Sequence, residues 1–203
     1  IVGDVLESDY ELSKLYDAGF STEFRKAIPK QQEQGIAILS FTEQGTIKNQ
    51  KLANQLKEEG ILCDTYTVEK YQRPGVQAFQ SLPKLMGDIF GQKNVLLFIG
   101  ATGIAVRTVA PFLKGKETDP AVLVMDEAGD HIISLLSGHL GGANEWCKKI
   151  AKLTGAEAII TTATDIRRIF AVDVFAKKNN LIIKNLESCK EVSACLLSGK
   201  QVA

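Results

Sequence analysis

Eleven residues, "SLLSGHLGGAN" from Ser134 to Asn144, hold three glycines, two serines and one of the chain's two histidines. Glycine at that density raises the entropy lost on folding, so a stretch that keeps it needs unusual dihedrals or lets a ligand approach the main chain. Two other stretches are comparably loaded. "GATGIAVR" places Thr102 and Gly103 at a helix start with Arg107 one turn in, and "TTATD", Thr161 to Asp165, follows the apolar "AII" with three hydroxyls and a carboxylate. In open parallel α/β sheets such strand-to-helix junctions gather outside the carboxyl ends of the strands, where ligands bind. Unpaired N–H groups at helix starts, with the positive end of the helix dipole, favour phosphate or carboxylate. The pattern therefore predicts one polyanion site where three loops meet. They contribute Thr102, Gly103 and Arg107; Ser137, His139, Gly141, Gly142 and Asn144; and Thr162, Thr164 and Asp165.

Each residue also has a plainer reading. Thr102, Thr164 and Asp165 fit ordinary helix N-caps. Arg107 fits a solvated helix charge, and Gly141 with Gly142 a tight turn. His139 has no Cys or second His nearby, which makes a poor metal site, and His131 at a strand start reads as structural or surface. "GATG" matches neither the dinucleotide fingerprint nor the P-loop spacing. "KGKETDP", Lys114 to Pro120, reads as a polar loop.

The elements that must carry these loops follow from apolar patterning. "IAILSF", "ILCDTYTV", "NVLLFIG" and "AVLVMD" read as strands, "DHIISLL" as a short fifth before the glycine-rich loop, and "AEAIITT" as another. The runs "TIKNQKLANQLKEEG", "SLPKLMGDIF", "TGIAVRTVAPFLKG" and "GANEWCKKIAKLTG" read as helices, the third interrupted at Pro111. "RIFAVDVFAKKNN", "LIIK" and "ESCKEVSACLLSG" give helix, strand and helix. This alternation predicts an α/β fold, a largely parallel sheet flanked by helices in three layers. Residues 1–30 break the rhythm, with a lone strand "IVGDVLE" and an irregular aromatic and charged stretch. "IPKQQEQG" then has a linker's composition.

Composition excludes several classes of function. The 203 residues are 45% hydrophobic, enough for a substantial core. Twenty-four basic side chains balance twenty-four acidic ones, so no net positive field recruits nucleic acid or an anionic membrane. No apolar run approaches the roughly 18 residues of a membrane span, and no signal-peptide pattern opens the chain, so a cytoplasmic protein is expected. The four cysteines form no C-x-x-C pair and read as small hydrophobes in a reducing compartment. The chain begins at Ile1 without an initiator methionine, so the expectation is a piece of a longer polypeptide.

The segment from Leu96 to Asp165, "LLFIGATGIAVRTVAPFLKGKETDPAVLVMDEAGDHIISLLSGHLGGANEWCKKIAKLTGAEAIITTATD", closely resembles the N-terminal region of the CbiG family of cobalamin biosynthesis, the cobalt-precorrin 5A hydrolases. "FAVDVFAKKNNLIIKN" onward resembles the start of that family's middle region. "SKLYDAGFSTEFRKA", Ser13 to Ala27, resembles the C-terminus of precorrin-4 C11-methyltransferases. The resemblance implies a fused methyltransferase-hydrolase. Residues 1–30 would be the methyltransferase tail, 31–35 a linker, 36–165 the hydrolase N-terminal α/β domain, and 166–203 the start of its middle region.

The implied reaction, in the anaerobic cobalt-early route to cobalamin, is hydrolytic opening of a δ-lactone on the macrocycle. Acetaldehyde is lost and cobalt-precorrin 5B is formed. Such a step needs an activated water and donors to the tetrahedral oxyanion. His139 would be the base, the amides of Gly141 and Gly142 the donors, and Ser137 a nucleophile or an orienting hydroxyl. Arg107, Thr102 and Gly103, with Thr162, Thr164 and Asp165 opposite, would hold the substrate's carboxylates. Cobalt would arrive inside the substrate, so the chain needs no metal site or other cofactor of its own. S-adenosylmethionine would belong to the absent methyltransferase part. The expected partners are a corrinoid and the rest of the fused polypeptide. Two other readings stay open: a corrinoid-binding module without catalysis of its own, and a nucleotide-binding α/β domain using "GATG". The second lacks a well-placed acidic ribose reader, since Asp119 and Asp126 fall in a loop and at a strand end.

Overall fold

The computed structural model describes residues 35–115, 118–166, 170, 172, 175–176 and 185–199. The readings made for residues 1–34, the strand "LIIK" and most of the helix "RIFAVDVFAKKNN" lie outside them. The chain divides into two compact units between Thr161 and Thr162. In the first, the elements in order are β1 (Ile36–Ser40), α1 (Glu43–Glu58), β2 (Cys63–Val68), β3 (Gln77–Phe79), α2 (Leu82–Ile89), β4 (Val95–Ile99), α3 (Thr102–Val109), β5 (Ala121–Met125), β6 (His131–Leu136), α4 (Ala143–Thr154) and β7 (Glu157–Ile159). The other unit contains α5 (Ala163–Ile166) and α6 (Leu186–Leu197), whose first turn is capped by Asn185 Oδ1 accepting from the N–H groups of Glu187 and Ser188. Among the described residues no helix is long and apolar enough to cross a membrane.

All seven strands form one sheet in the order β3-β2-β1-β4-β5-β6-β7. Strands β1, β4 and β5 are buried at every residue, as continuous apolar runs covered on both faces must be. Successive side chains point to opposite faces. Ile36 and Ile38, Val95, Leu97 and Ile99, and Leu123 and Met125 meet α1 and α4 through Leu52, Leu56, Cys147 and Ile150. Ala37 and Leu39, Leu96 and Phe98, and Val122 and Val124 meet α2 and α3 through Met86, Ile89, Ala105 and Val109. This is the expected three-layer α/β arrangement. Strand β3 is an addition, three residues too short to show an alternating pattern. Helix α3 ends at Val109 and continues as a single 3₁₀ turn through Pro111, which has no N–H to extend the α-helical ladder.

Helix α1 is fixed by polar groups as well as by its apolar face. Asn49 is fully buried, and its Nδ2 donates to Ile38 O, Ser40 Oγ and Tyr66 O, each at 3.1 Å. Thr46 Oγ1 lies 2.7 Å from Thr67 Oγ1 and donates to Thr42 O. An apolar helix can slide on a sheet, whereas buried hydrogen bonds are costly to leave unmade and so fix its position. The consequence is a set place for the start of α1, where Thr42 Oγ1 accepts from Gly45 N at 3.0 Å as N-cap.

One strand departs from the parallel pattern. Strands β1 to β5 pair in parallel, β5 and β6 pair antiparallel with a register shift at Val122/Leu123, and β7 pairs in parallel with β6. Five residues, Asp126 to Asp130, join β5 to β6. A parallel crossover needs about a dozen residues or more, so this link has to be a hairpin. Asp126 closes it. Its carboxylate accepts from the N–H groups of Gly129 at 2.6 Å, Asp130 at 3.1 Å and His131 at 2.7 Å, and from the His131 ring at 3.0 Å. Partial burial pushes the Asp126 pKa up, but these hydrogen bonds outweigh it and hold the group below its ordinary 3.8.

A carboxyl group whose pKa is lowered by folding stabilises the fold above its unfolded value, and that stabilisation is lost as pH falls through the folded value. Asp126→Asn should therefore lower Tm by about 2–4 °C at pH 6 to 8, the shift expected for loss of about 1 kcal/mol. The gap to the unsubstituted protein should close as pH falls below about 4. Thermal melts across pH 3 to 8 measure both, and a gap that stays constant at low pH would contradict the role given to the carboxylate.

Candidate functional site

The reversal at β6 decides which loops can meet. Strands β1, β4 and β5 present their carboxyl ends at one edge of the sheet, together with the amino end of β6, since Met125 pairs with Ile132. The carboxyl end of β6 lies at the opposite edge, because Leu136 pairs with Val122 near the start of β5. Gly100 to Arg107 and Ser137 to Asn144 therefore stand at opposite edges, and the expected meeting of three loops does not form. Strand β7 leaves the sheet at the same edge as the end of β6. Thr162, Thr164 and Asp165 belong to the second unit, where Thr162 Oγ1 donates to Asp165 Oδ2 at 2.7 Å.

The Ser137–Asn144 loop closes on itself. Gly142 N–H donates to His139 O at 3.0 Å, Ala143 N–H to Ser137 O at 3.1 Å and Asn144 N–H to Gly138 O at 3.0 Å. The amides at this helix start are thus engaged within the loop, and the Gly142 amide is not a waiting oxyanion donor. Asn144 is buried, and its Oδ1 accepts from Ser134 Oγ at 2.6 Å. The glycines answer to this packing. A Cβ on Gly141 would lie 2.3 Å from Ser137 Cβ, and one on Gly138 2.9 Å from Asn144 Oδ1. Gly142 has φ +85°, a conformation that side chains disfavour, and Ser137 itself is left-handed at φ +59°. The density of bare backbone is explained by a compact turn that starts α4.

The other edge has the geometry that open sheets use for ligands. Strand order reverses between β1 and β4, since β2 and β3 follow outward on one flank and β5 on the other. The crevice above the carboxyl ends of β1 and β4 is a topological switch point. From β1 it receives Phe41 and Thr42 and the start of α1; from β4 it receives Gly100, Ala101 and the start of α3 at Thr102. Gly103 and Arg107 are exposed and lie together, a Cβ on Gly103 falling 3.6 Å from Arg107 Nη1. A guanidinium beside exposed first-turn backbone of a helix suits a carboxylate.

The turn between β5 and β6 completes this edge. Thr42 Oγ1 donates to Glu127 Oε1 at 2.7 Å, and Lys48 Nζ donates to Ala128 O, so the start of α1 is tied to the turn. Asp126 and His131 stand there as a hydrogen-bonded couple, Nδ1 lying 3.0 Å from Oδ2. Inspection of motifs passes over both because neither lies in a glycine-rich string. The available signal is the short spacing between two apolar runs, which forces the hairpin and brings the first residue of β6 back beside the end of β5.

Two of the thiols, Cys63 and Cys147, are poorly placed to act as nucleophiles. Burial, then the charge of Asp64, push the Cys63 pKa up to about 11 despite Lys93. Burial likewise raises Cys147, whose Sγ donates to Ile132 O. Among the described residues no three of His, Cys, Asp and Glu cluster so as to hold a metal ion.

Comparison with known proteins agrees with the family reading. The family model for the cobalamin synthesis G N-terminal region matches residues 84–165, and that for the cobalamin biosynthesis central region matches residues 170–203. A cobalt-precorrin-5A hydrolase of Priestia megaterium is 34% identical over 88% of this chain and 48% of its own length. That of Salmonella typhimurium is 39% identical over 83% of this chain and 47% of its own. The chain thus spans about half the length of these relatives. A crystal structure of a putative cobalamin biosynthesis protein G homolog from Sulfolobus solfataricus superposes with TM-score 0.54 at 24% identity, covering 82% of this chain and 47% of that one, and has the same fold. The chain belongs to the cobalamin synthesis G (CbiG) family, of which it carries the N-terminal region and part of the central region.

Proposed function

We propose that this chain is the N-terminal part of a cobalt-precorrin-5A hydrolase and that it holds the corrinoid at the carboxyl edge of the sheet. The observation that carries the reading is identity of 34% and 39% to two proteins of that name over 88% and 83% of the chain. The reaction opens a δ-lactone with water and releases acetaldehyde, giving cobalt-precorrin 5B. The edge at β1 and β4 suits its substrate. The macrocycle bears acetate and propionate carboxylates, and Arg107 with the backbone at Thr102 and Gly103 offers charge-assisted donors to one of them.

Cobalt enters as part of the substrate, so the reading asks for no resident metal and no further cofactor. The central region and the remainder of the polypeptide are proposed as partners, with a methyltransferase portion ahead of the hydrolase on the strength of the Ser13–Ala27 resemblance. A cytoplasmic setting fits a chain whose four cysteines lie far apart and form no C-x-x-C pair. The Ser137–Asn144 loop receives no role in binding here, because it stands at the other edge with its first-turn amides engaged.

Anaerobic incubation of the chain with cobalt-precorrin 5A, with acetaldehyde assayed and the corrinoid spectrum recorded in the same cuvette, tests the reading. Acetaldehyde above a no-protein control is the expected result. A spectral shift without acetaldehyde would overturn hydrolysis in favour of a holding module, and no change in either would overturn the corrinoid assignment. Arg107→Ala should weaken corrinoid binding about tenfold, the worth of one hydrogen bond between charged partners, in a spectral titration. Unchanged affinity would remove Arg107 from the site.

A further inference from the structure

The carboxyl edge holds one pair of groups to which substrate binding gives no role. His131 Nδ1 lies 3.0 Å from Asp126 Oδ2, and three backbone N–H groups, those of Gly129, Asp130 and His131, hold the carboxylate still. An anionic acceptor facing Nδ1 draws the ring proton there and leaves the lone pair on Nε2. Among the described residues Nε2 meets no donor or acceptor, and the side chain is 56% exposed. A histidine used only to fill a core has both nitrogens satisfied. This one is oriented by a carboxylate on one nitrogen and presents a lone pair to solvent on the other, the arrangement of a general base.

Its position suits the task. Ile132 packs on the sheet face that carries α1 and α4, so alternation turns His131 toward the face that carries α3. From β4 to β6 is two strand spacings, about 10 Å, a span that one large macrocycle can bridge. A carboxylate of the substrate held at Arg107 and a lactone carbonyl near His131 are thus compatible with a single bound molecule. The charges around the imidazole are mostly negative. Glu157 is its partner across the β6–β7 pairing, Asp130 precedes it in the chain, and Glu127 is engaged by Thr42. Lys48, bonded to Ala128 O, is the cation from α1.

We propose that His131, oriented by Asp126, is the base that takes a proton from the water attacking the substrate's lactone carbonyl, an assignment that rests on the hydrolase reading. The water gives one proton to Nε2 while its oxygen bonds to the carbonyl carbon. The tetrahedral oxyanion then collapses, the acyl C–O bond breaks, and the leaving oxygen takes the proton back from the imidazolium. One water is consumed, and a carboxylic acid and a hydroxyl are left. Asp126 stays ionised throughout, its pKa already lowered by the turn, and stabilises the imidazolium between the two transfers.

The test is acetaldehyde release by the 203-residue chain and its variants across pH. His131→Ala should lower kcat by about 100-fold or more with Tm little changed, and added imidazole should restore part of the rate, since the site is open. Asp126→Asn should lower kcat with KM little changed, because an amide no longer stabilises the imidazolium between the two proton transfers. Wild-type turnover by His131→Ala overturns the base role and leaves the hydrolase reading standing. So does a loss that imidazole does not relieve together with an unchanged kcat in Asp126→Asn. Absence of acetaldehyde from the unsubstituted chain overturns the hydrolase reading, and this assignment with it.

Discussion

The short link from Asp126 to Asp130 sets the direction of the sheet's last two strands, and one carboxylate, that of Asp126, holds it closed. By taking the N–H groups of Gly129, Asp130 and His131 it stabilises a five-residue turn that sends β6 back beside β5. The backbone groups of so short a turn would otherwise depend on water, and anionic hydrogen bonds are the stronger kind. Everything downstream follows from that reversal. Helix α4 starts at the amino edge of the central strands, β7 runs with β6, and the glycine-rich loop lies far from the switch point.

The two edges accordingly have different characters. At the amino edge, the bare backbone of Gly138, Gly141 and Gly142 serves close packing against Ser137 and Asn144, and the first amides of α4 are spent inside the loop. At the carboxyl edge, the start of α1 is fixed by the buried Asn49 and Thr46 hydrogen bonds and tied to the β5–β6 turn through Thr42 and Lys48. The start of α3 presents Gly103 and Arg107 to solvent. A rigid polar underside with exposed donors above it is what a pre-organised anion site requires.

Much of this fold is legible in the sequence. The runs at Ile36, Asn94 and Ala121 are too uniformly apolar to be anything but central strands, and Pro111 ends its helix for a covalent reason. Strand direction is not carried by residue type. Regular alternation of strands and helices predicts a largely parallel sheet, as found, and leaves open which strand departs; β6 does, because Asp126 to Asp130 leave no room for a crossover. The grouping of the loops was affected by the same reversal. Residues rich in glycine and hydroxyls drew attention to Ser137, His139 and Gly142, while the pair Asp126 and His131 reads as a strand end and a strand start until the hairpin joins them. Glycine density by itself does not distinguish a loop that admits a ligand from one that packs on its own side chains.

Membership of the CbiG family and a carboxyl edge that carries both Arg107 and His131 agree with the proposed account, in which the macrocycle would lie across that edge from β4 to β6. The chain has only two histidines, His131 and His139, and they stand at opposite edges. They are therefore native reporters of where the corrinoid binds. The most direct measurement follows the two imidazole signals by ¹H–¹⁵N NMR as cobalt-precorrin 5A is added anaerobically, each assigned by replacing one histidine with glutamine. The account predicts that the His131 signals shift or broaden on binding while those of His139 hold their positions. Movement of the His139 signals with His131 unchanged would place the substrate at the amino edge and contradict it.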